Sequence, residues 1–160
     1  NKKGWSLLGI EEKIAIPIRG DLHFLGFLDV VLKDEISGKI KIIDIKTATM
    51  GWNKYQKANV VKNDQLLLYK EYYSKKHDVP VEKIDIEFLI FKRKLWEKAE
   101  FPQKRIQRHV PANGTPSMNK MRSRFEEFLD ACYDESGKVK NIEYEKCVGK
   151  CKAFTKCKDL

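Results

Sequence analysis

The chain has 160 residues, of which 42% are hydrophobic and 34% are charged, a composition that favours one globular domain with an apolar core and excludes wholesale disorder. No apolar run approaches the roughly 18 residues that a membrane-spanning helix needs, and the sequence shows no signal peptide. The formal net charge of +9 suits a polyanionic partner, either a nucleic acid or an acidic membrane surface, although solubility alone would also account for it.

Three strands are predicted before residue 47. Residues 10–18 alternate loosely between apolar and polar, residues 22–32 are rich in Leu, Phe and Val, and residues 39–46 alternate again. Residues 34–38 have the composition of a turn, so the second and third strands are predicted to form an antiparallel hairpin.

Two helices and two strands are predicted for the rest of the chain. Asp64 is the predicted N-cap of the first helix, which follows a polar loop. The predicted elements are the loop (47–63), this helix (65–76), a central strand (84–92), a more exposed strand (105–110) and a second helix that opens at residue 116. The order predicts a mixed α/β architecture in layers.

Asp44 and Lys46 are the first candidates for chemistry. They are two residues apart on the third strand, so they share one face, and their isoleucine neighbours are expected to be buried. A carboxylate there would suit a divalent cation, and a lysine could hold an attacking water and offset negative charge at phosphorus. Asp29 on the neighbouring strand could supply a second carboxylate. A plain salt bridge, including one between Asp29 and Lys46, would also account for these residues.

Gln65 and Tyr69 are four residues apart, so they lie on one face of the predicted helix. Their amide and hydroxyl groups could contact a phosphate or orient Lys46. An ordinary polar contact beside a half-buried tyrosine explains the same pattern.

Three motifs occur in a fixed order. They are Gly26-x-x-Asp29, an apolar strand that ends in Asp44-Ile45-Lys46-Thr47, and Gln65-x-x-x-Tyr69 at the start of a helix. Together they resemble the RecB-like branch of the PD-(D/E)XK nuclease superfamily, a branch with members among phage, CRISPR-adaptation and mitochondrial exonucleases. The resemblance implies a restriction-endonuclease-like core, in which helices flank a central mixed β-sheet.

The resemblance also implies roles for individual residues. Asp29, Asp44 and the backbone carbonyl of Ile45 would bind Mg²⁺ or Mn²⁺, Lys46 would be the catalytic lysine, and Gln65 and Tyr69 would place the substrate or the lysine. The implied activity is hydrolysis of phosphodiester bonds in DNA, by an exonuclease that acts on single strands or free ends in replication, recombination or repair. A bacterial or viral protein in the cytoplasm is expected, without a membrane partner, and it could be part of a larger chain or complex.

One departure supports an alternative function. Such nucleases carry a His or Glu on a helix well before the Gly-x-x-Asp motif, and here 28 residues precede Asp29 and are predicted to form loop and strand. The chain begins at Asn1, so a fragment is expected, or Glu11 or Glu12 plays this part. His23 is expected to be a surface or core residue. The alternative is a catalytically inactive DNA-binding module of a larger replication or recombination complex.

Three of the four cysteines lie in the C-terminal tail, which is predicted to be a region separate from the nuclease core. Cys147, Cys151 and Cys157 resemble the C-terminal cluster of the iron–sulfur members of this family, which implies an iron–sulfur cluster or Zn²⁺ completed by a fourth ligand from elsewhere. Free cysteines in a Lys-rich tail remain the alternative, and Cys132 is expected in the core. We therefore predict a nuclease core over residues 1–135 and a possible metal-binding tail over residues 136–160.

Basic residues are concentrated in the second half of the chain, among the aromatic residues Trp96 and Phe101. This composition suits a surface that grips phosphates and stacks on bases. The predicted nucleic-acid-binding residues are Lys92, Arg93, Lys94, Arg105 and Arg108.

Overall fold

The computed structural model describes residues 4–96, 98 and 100–140. Its elements are β1 (Trp5–Arg19), β2 (Leu22–Asp34), β3 (Ile40–Ala48), α1 (Lys54–Lys57), α2 (Val60–His77), a 3-10 turn (Val81–Lys83), β4 (Ile84–Lys92), β5 (Ile106–His109) and α3 (Thr115–Cys132). The five strands form one sheet in the order β1-β2-β3-β4-β5. The mixed sheet with helices confirms the predicted fold class.

The sheet is mixed because one connection is a crossover. β1 pairs with β2 and β2 with β3 in antiparallel fashion, β3 and β4 are parallel, and β5 is antiparallel to β4. A parallel pair needs a connection long enough to return the chain to the starting edge, and α2 supplies it between β3 and β4. Asp44 and Lys46 therefore lie on the strand that feeds the crossover.

The apolar core lies between the sheet and α2. Ile42 of β3, Ile86 and Phe88 of β4 and Leu66 of α2 are fully or almost fully buried in one cluster. α3 joins this core through Met118, which is buried in the same cluster. Burial of each such side chain stabilises the fold by about 1.5–3 kcal/mol, so α2 is held firmly against the strand that carries Asp44.

The predicted strands agree with the structure, whereas the predicted start of α2 does not. β4 has the predicted bounds, and β1 begins five residues before the predicted residue 10. α2 begins at Val60, so Asp64 as its N-cap is wrong. Asn59 is the cap because its extended backbone lets the side chain accept a hydrogen bond from Lys62 N. Asp64 instead lies inside the helix and binds Arg124.

Two further expectations concern the surface and the tail. Ile45 was expected to be buried, but it is 40% exposed, because the sheet face on which it lies is not covered by α2. Residues 136–140 contact the β1–β2 turn, where Asp21 N donates to Ser136 O at 3.0 Å. Cys147, Cys151 and Cys157 lie outside the described residues, so the metal-binding tail stays a prediction.

No helix among the described residues is long and apolar enough to cross a bilayer.

Candidate active site

The candidate site lies where β2 and β3 separate from their pairing. The last pair in the β2–β3 register is Val30–Ile43, so Asp29 and Asp44 occupy the next position on the two strands. Asp44 is only 3% exposed, because it is on the face that α2 covers. Burial raises the pKa of Asp44, the nearby charge of Asp29 raises it further, and Lys46 lowers it without reversing the shift.

Asp29 and Lys46 do not bind each other, although a salt bridge between them was an open alternative. Asp29 Oδ2 accepts a hydrogen bond from Ile45 N at 2.6 Å, whereas Lys46 Nζ lies 2.8 Å from Asp44 Oδ2. The carboxylate of Asp29 is therefore fixed against the backbone between Asp44 and Lys46. Both acids and the lysine meet around a single peptide unit of β3.

A polar chain joins Lys46 to α2. Lys46 Nζ donates to Gln65 Oε1 at 3.4 Å, and Gln65 Nε2 donates to Tyr69 Oη at 3.0 Å. Gln65 and Tyr69 can make this contact because positions four apart in a helix are neighbours on one face. The helix thus contacts the lysine side chain through Gln65.

Gly26 explains why the first motif begins with glycine. A Cβ atom added to Gly26 would lie 2.8 Å from Cε1 of Tyr69, a distance that real Cβ atoms essentially never show. The missing side chain therefore lets the Tyr69 ring approach β2 closely. Gly26 and Tyr69 belong to different motifs, and this packing contact links them.

Hard oxygen ligands for a divalent cation are present at the site. Asp44 Oδ2 is buried and, apart from the ion pair with Lys46, receives no hydrogen bond from the described residues. A buried carboxylate oxygen without a hydrogen bond fits a cation ligand. No cluster of three or more His, Cys, Asp or Glu side chains occurs among residues 4–96, 98 and 100–140, so two side-chain carboxylates and a carbonyl form the candidate ligand set.

The upstream candidates are placed elsewhere. Glu12 Oε1 binds Lys76 Nζ at 2.8 Å and His77 Nε2 at 2.6 Å, so its carboxylate ties β1 to the end of α2. Burial raises the pKa of Glu12, but the contacts with Lys76 and His77 outweigh it and the net shift is downward. His23 is an exposed surface residue whose Nδ1 lies 3.0 Å from Asp21 O.

Most of the predicted nucleic-acid-binding residues follow β4 at the same end of the sheet. Arg93 N donates to Ala48 O and Lys94 N to Thr49 O, each at 2.8 Å, which ties this segment to the end of β3. Arg105 reinforces it, since its Nη1 donates to Lys92 O at 3.1 Å. These cations therefore lie near the end of β3, the strand that carries Lys46.

Arg108 is not brought to this cluster. Its guanidinium forms a two-point ion pair with Glu87, in which Nη2 and Oε2 are 2.6 Å apart. Glu87 is opposite Ile43 and Phe88 is opposite Asp44, so the alternation of side chains puts Glu87 and Asp44 on opposite faces.

A family model decides the classification. The model of the PD-(D/E)XK nuclease superfamily matches residues 1–158. The chain belongs to this superfamily. The superfamily predicted from the three motifs is thereby confirmed, whereas the RecB-like branch stays a prediction.

Other comparisons add little to membership of the PD-(D/E)XK superfamily. No curated protein matches the chain. The solved structure of SSO0001 is similar with a TM-score of 0.45 and 13% sequence identity, over 75% of this chain and 50% of that chain. The chain thus spans half the length of this structural relative.

Sequence reasoning missed one element beside the site. Arg124 of α3 binds Asp64 through two hydrogen bonds of 2.7 and 2.6 Å, immediately before Gln65 in the chain. The assignment of Asp64 as a helix cap concealed this pair, and the only available signal was the position of Arg124 off the apolar stripe of α3.

Proposed function

We propose that this PD-(D/E)XK superfamily member is a Mg²⁺- or Mn²⁺-dependent deoxyribonuclease, and that it acts as a RecB-like exonuclease on single strands or free ends. The observation that carries the proposal is the buried Asp44, whose Oδ2 has Lys46 as its one partner among the described residues. Asp29 lies at the next strand position, and its charge is felt at Asp44. The pathway would be replication, recombination or repair of DNA.

The metal would be held by Asp44, by Asp29 and by the carbonyl oxygen of Ile45. A bound divalent cation polarises the phosphate and lowers the pKa of an attacking water. Burial of Asp44 supports this role because its raised pKa reflects a charge that lacks sufficient compensation within the protein. A cation would supply that compensation.

Lys46 would hold the attacking water and offset the negative charge that develops at phosphorus. Its position supports this role, since Lys46 Nζ reaches Asp44 on one side and Gln65 on the other. Gln65 and Tyr69 would fix the direction of the lysine. Cations held near the transition state act most strongly where protein excludes water, as it does around Asp44.

The DNA backbone would be gripped by the segment after β4. Arg93, Lys94 and Arg105 are linked to the end of β3 by the hydrogen bonds described above, and such contacts give salt-dependent affinity without sequence preference. Arg108 would contribute from the other sheet face, where its side chain is exposed despite the ion pair with Glu87. An iron–sulfur cluster or Zn²⁺ at Cys147, Cys151 and Cys157 remains part of the proposal.

The test is degradation of end-labelled single-stranded and double-stranded DNA with Mg²⁺, with Mn²⁺ and with chelator. We expect metal-dependent loss of label for the wild type, and a roughly 10²- to 10³-fold lower rate for Lys46→Ala, the usual effect of removing a group that stabilises transition-state charge. Lys39→Ala is the matched control, because Lys39 immediately precedes the same strand, is half-exposed and has Asp85 as its ion-pair partner among the described residues. Equal rates for Lys46→Ala and Lys39→Ala would contradict the catalytic role.

A second candidate function is an inactive DNA-binding module. It is favoured by the 2.8 Å contact between Lys46 Nζ and Asp44 Oδ2, since a cation of the protein already occupies the acid that would bind metal. This function predicts salt-sensitive DNA binding with no cleavage at any metal concentration. The degradation assay, run beside a binding assay on the same folded protein, separates the two candidates.

A further inference from the structure

An apolar groove runs from the candidate active site along α2 and α3. It has a volume of about 540 Å³ and shares two of its lining residues, Gln65 and Tyr69, with the polar chain that ends at Lys46. The walls are otherwise mostly apolar; they include Phe24, Leu25, Val61, Leu68, Phe125 and Phe128. The groove is therefore continuous with the site proposed for phosphodiester cleavage.

The groove exposes large apolar side chains to water. Phe128 is 51% exposed and Val61 is 79% exposed, and both line the groove. The ring of Phe128 is backed by Phe125, with the two rings nearly parallel and their centroids 6.5 Å apart, so a flat ligand could stack on the accessible part of Phe128. Contiguous exposed apolar surface of this kind marks a binding site more often than chance.

Charged and polar groups stand at the rim of the groove. Arg124 and Asp64 both line it, and their two-point ion pair holds the guanidinium in a fixed position beside Gln65. A nucleobase has flat faces that suit the aromatic wall and polar edges that suit such a rim. A volume of this size lies within the range typical of sites for small ligands.

We propose that the groove receives an unpaired nucleobase of the DNA strand, next to the phosphate that is cleaved. The proposal rests on the proposed nuclease function and gives that function a structural basis for single-strand preference. A paired base is stacked and hydrogen-bonded within the duplex, so entering the groove would require it to unpair. Phe128 is the specificity-determining residue of this subsite because its ring offers an exposed stacking surface.

Exposed apolar residues of β1 do not share this link with the site. Leu8 and Ile10 are exposed, but neither lines the groove. Shared residues between groove and site favour the substrate itself over a protein partner. The strongly positive net charge of +9 also favours a polyanionic strand as the occupant.

The experiment measures base docking without cleavage. Short single-stranded oligonucleotides carry one 2-aminopurine at successive positions, and their fluorescence is measured with full-length protein in chelator. We expect strong quenching at one or two positions for the wild type, because 2-aminopurine loses fluorescence when it stacks. Phe128→Ala should lose this quenching and lower the ratio of single-strand to duplex affinity about tenfold, the size of one stacked base. Phe128→Tyr should retain both.

An abasic nucleotide supplies the cross-check. Placed at the quenched position, it should weaken wild-type binding about tenfold. It should leave Phe128→Ala binding unchanged, because the variant has already lost the contact between this base and Phe128. Ile36→Ala, which truncates an exposed residue in the β2–β3 turn, is the control and should behave as wild type.

Several outcomes would overturn the proposal. One is an additive loss of affinity when the abasic strand is combined with Phe128→Ala, and another is a ratio of single-strand to duplex affinity that Phe128→Ala leaves unchanged. Absence of single-strand binding by the wild type would also overturn it. So would a change of sedimentation mass in Phe128→Ala, which would assign the groove to a second copy of the chain. Failure of the nuclease function gives a different result, namely intact quenching in chelator with no cleavage after Mg²⁺ or Mn²⁺ is added.

Discussion

Asp44 and Glu87 are two buried carboxylates on neighbouring strands, and they have opposite electrostatic environments. They are 3% and 2% exposed, and Asp44 is paired in the sheet with the residue that follows Glu87. Glu87 receives the two-point ion pair from Arg108, with Lys41 3.7 Å away. Among the described residues, Asp44 has one cation, Lys46, which lies 2.8 Å from Oδ2, and Oδ2 receives no other contact of this kind.

The pKa values of the two acids move in opposite directions. Hydrogen bonds from Arg108 hold the pKa of Glu87 below its ordinary value despite burial, whereas burial raises the pKa of Asp44. A buried charge is tolerated when its partners replace the lost hydration. Glu87 meets this condition within the chain, and Asp44 would meet it on binding a cation. Burial of an acid alone therefore does not distinguish a structural position from a functional one.

Activity should separate the two acids most strongly. We expect Asp44→Asn to lower kcat/KM for DNA cleavage roughly 10³-fold, because metal-based charge stabilisation is worth several kcal/mol. Glu87→Gln is the matched substitution on the opposite sheet face, and we expect wild-type kcat/KM at a temperature where it remains folded. Steady-state cleavage of end-labelled DNA measures both. A large loss in both variants would mean that the contrast between the two acids is not functional.

The pH dependence of stability should differ in sign between the two acids. A lowered pKa in the folded state means that ionised Glu87 stabilises the fold above its unfolded value of 4.5, and that this stabilisation is lost as the pH falls through the lower folded value. Glu87→Gln should therefore reduce the free energy of unfolding at pH 7 by about 2 kcal/mol, the range for hydrogen bonds to a charged group. The difference from wild type should shrink at acidic pH.

Asp44→Asn should show the reverse in chelator. The raised pKa of Asp44 means that its ionised form destabilises the fold above that pKa, and that this penalty disappears below the ordinary pKa of 3.8. The variant should be more stable than wild type at pH 7, on the order of 1 kcal/mol as for other substitutions that relieve a functional site. Urea denaturation at several pH values measures both acids. A destabilised Asp44→Asn at neutral pH would show that the ion pair with Lys46 outweighs burial.

The sequence allowed much of this site to be predicted because its parts are local. Alternation along β3 placed Asp44 and Lys46 on one face, and helical spacing placed Gln65 beside Tyr69; the contacts of Lys46 with Asp44 and Gln65 join these parts. The strand pairing followed from the turn after β2. The catalytic roles of these residues remain predictions.

Contacts between distant segments could not be predicted from the same patterns. The ion pairs of Arg108 with Glu87 and of Arg124 with Asp64 join different elements, and nothing in local periodicity specifies which charges meet across a fold. The close approach of Gly26 and Tyr69 is of the same kind. The prediction of where α2 begins was wrong for a different reason, because Asn59 and Asp64 are both good capping residues.

The two candidate caps of α2 give the smallest expected effects. Asn59→Ala should lower the free energy of unfolding by about 1 kcal/mol, because it removes the hydrogen bond from Lys62 N at 3.0 Å. Asp64→Ala should cost about 0.5 kcal/mol through loss of a partly exposed ion pair with Arg124. Salt separates the two causes, since screening weakens the ion pair and leaves the cap largely unchanged. The screening length falls from about 10 Å at 0.1 M salt to about 3 Å at 1 M salt. Denaturation at the higher salt concentration should therefore shrink only the effect of Asp64→Ala. A salt-insensitive loss in Asp64→Ala that exceeds the loss in Asn59→Ala would place the start of the helix at Asp64 after all.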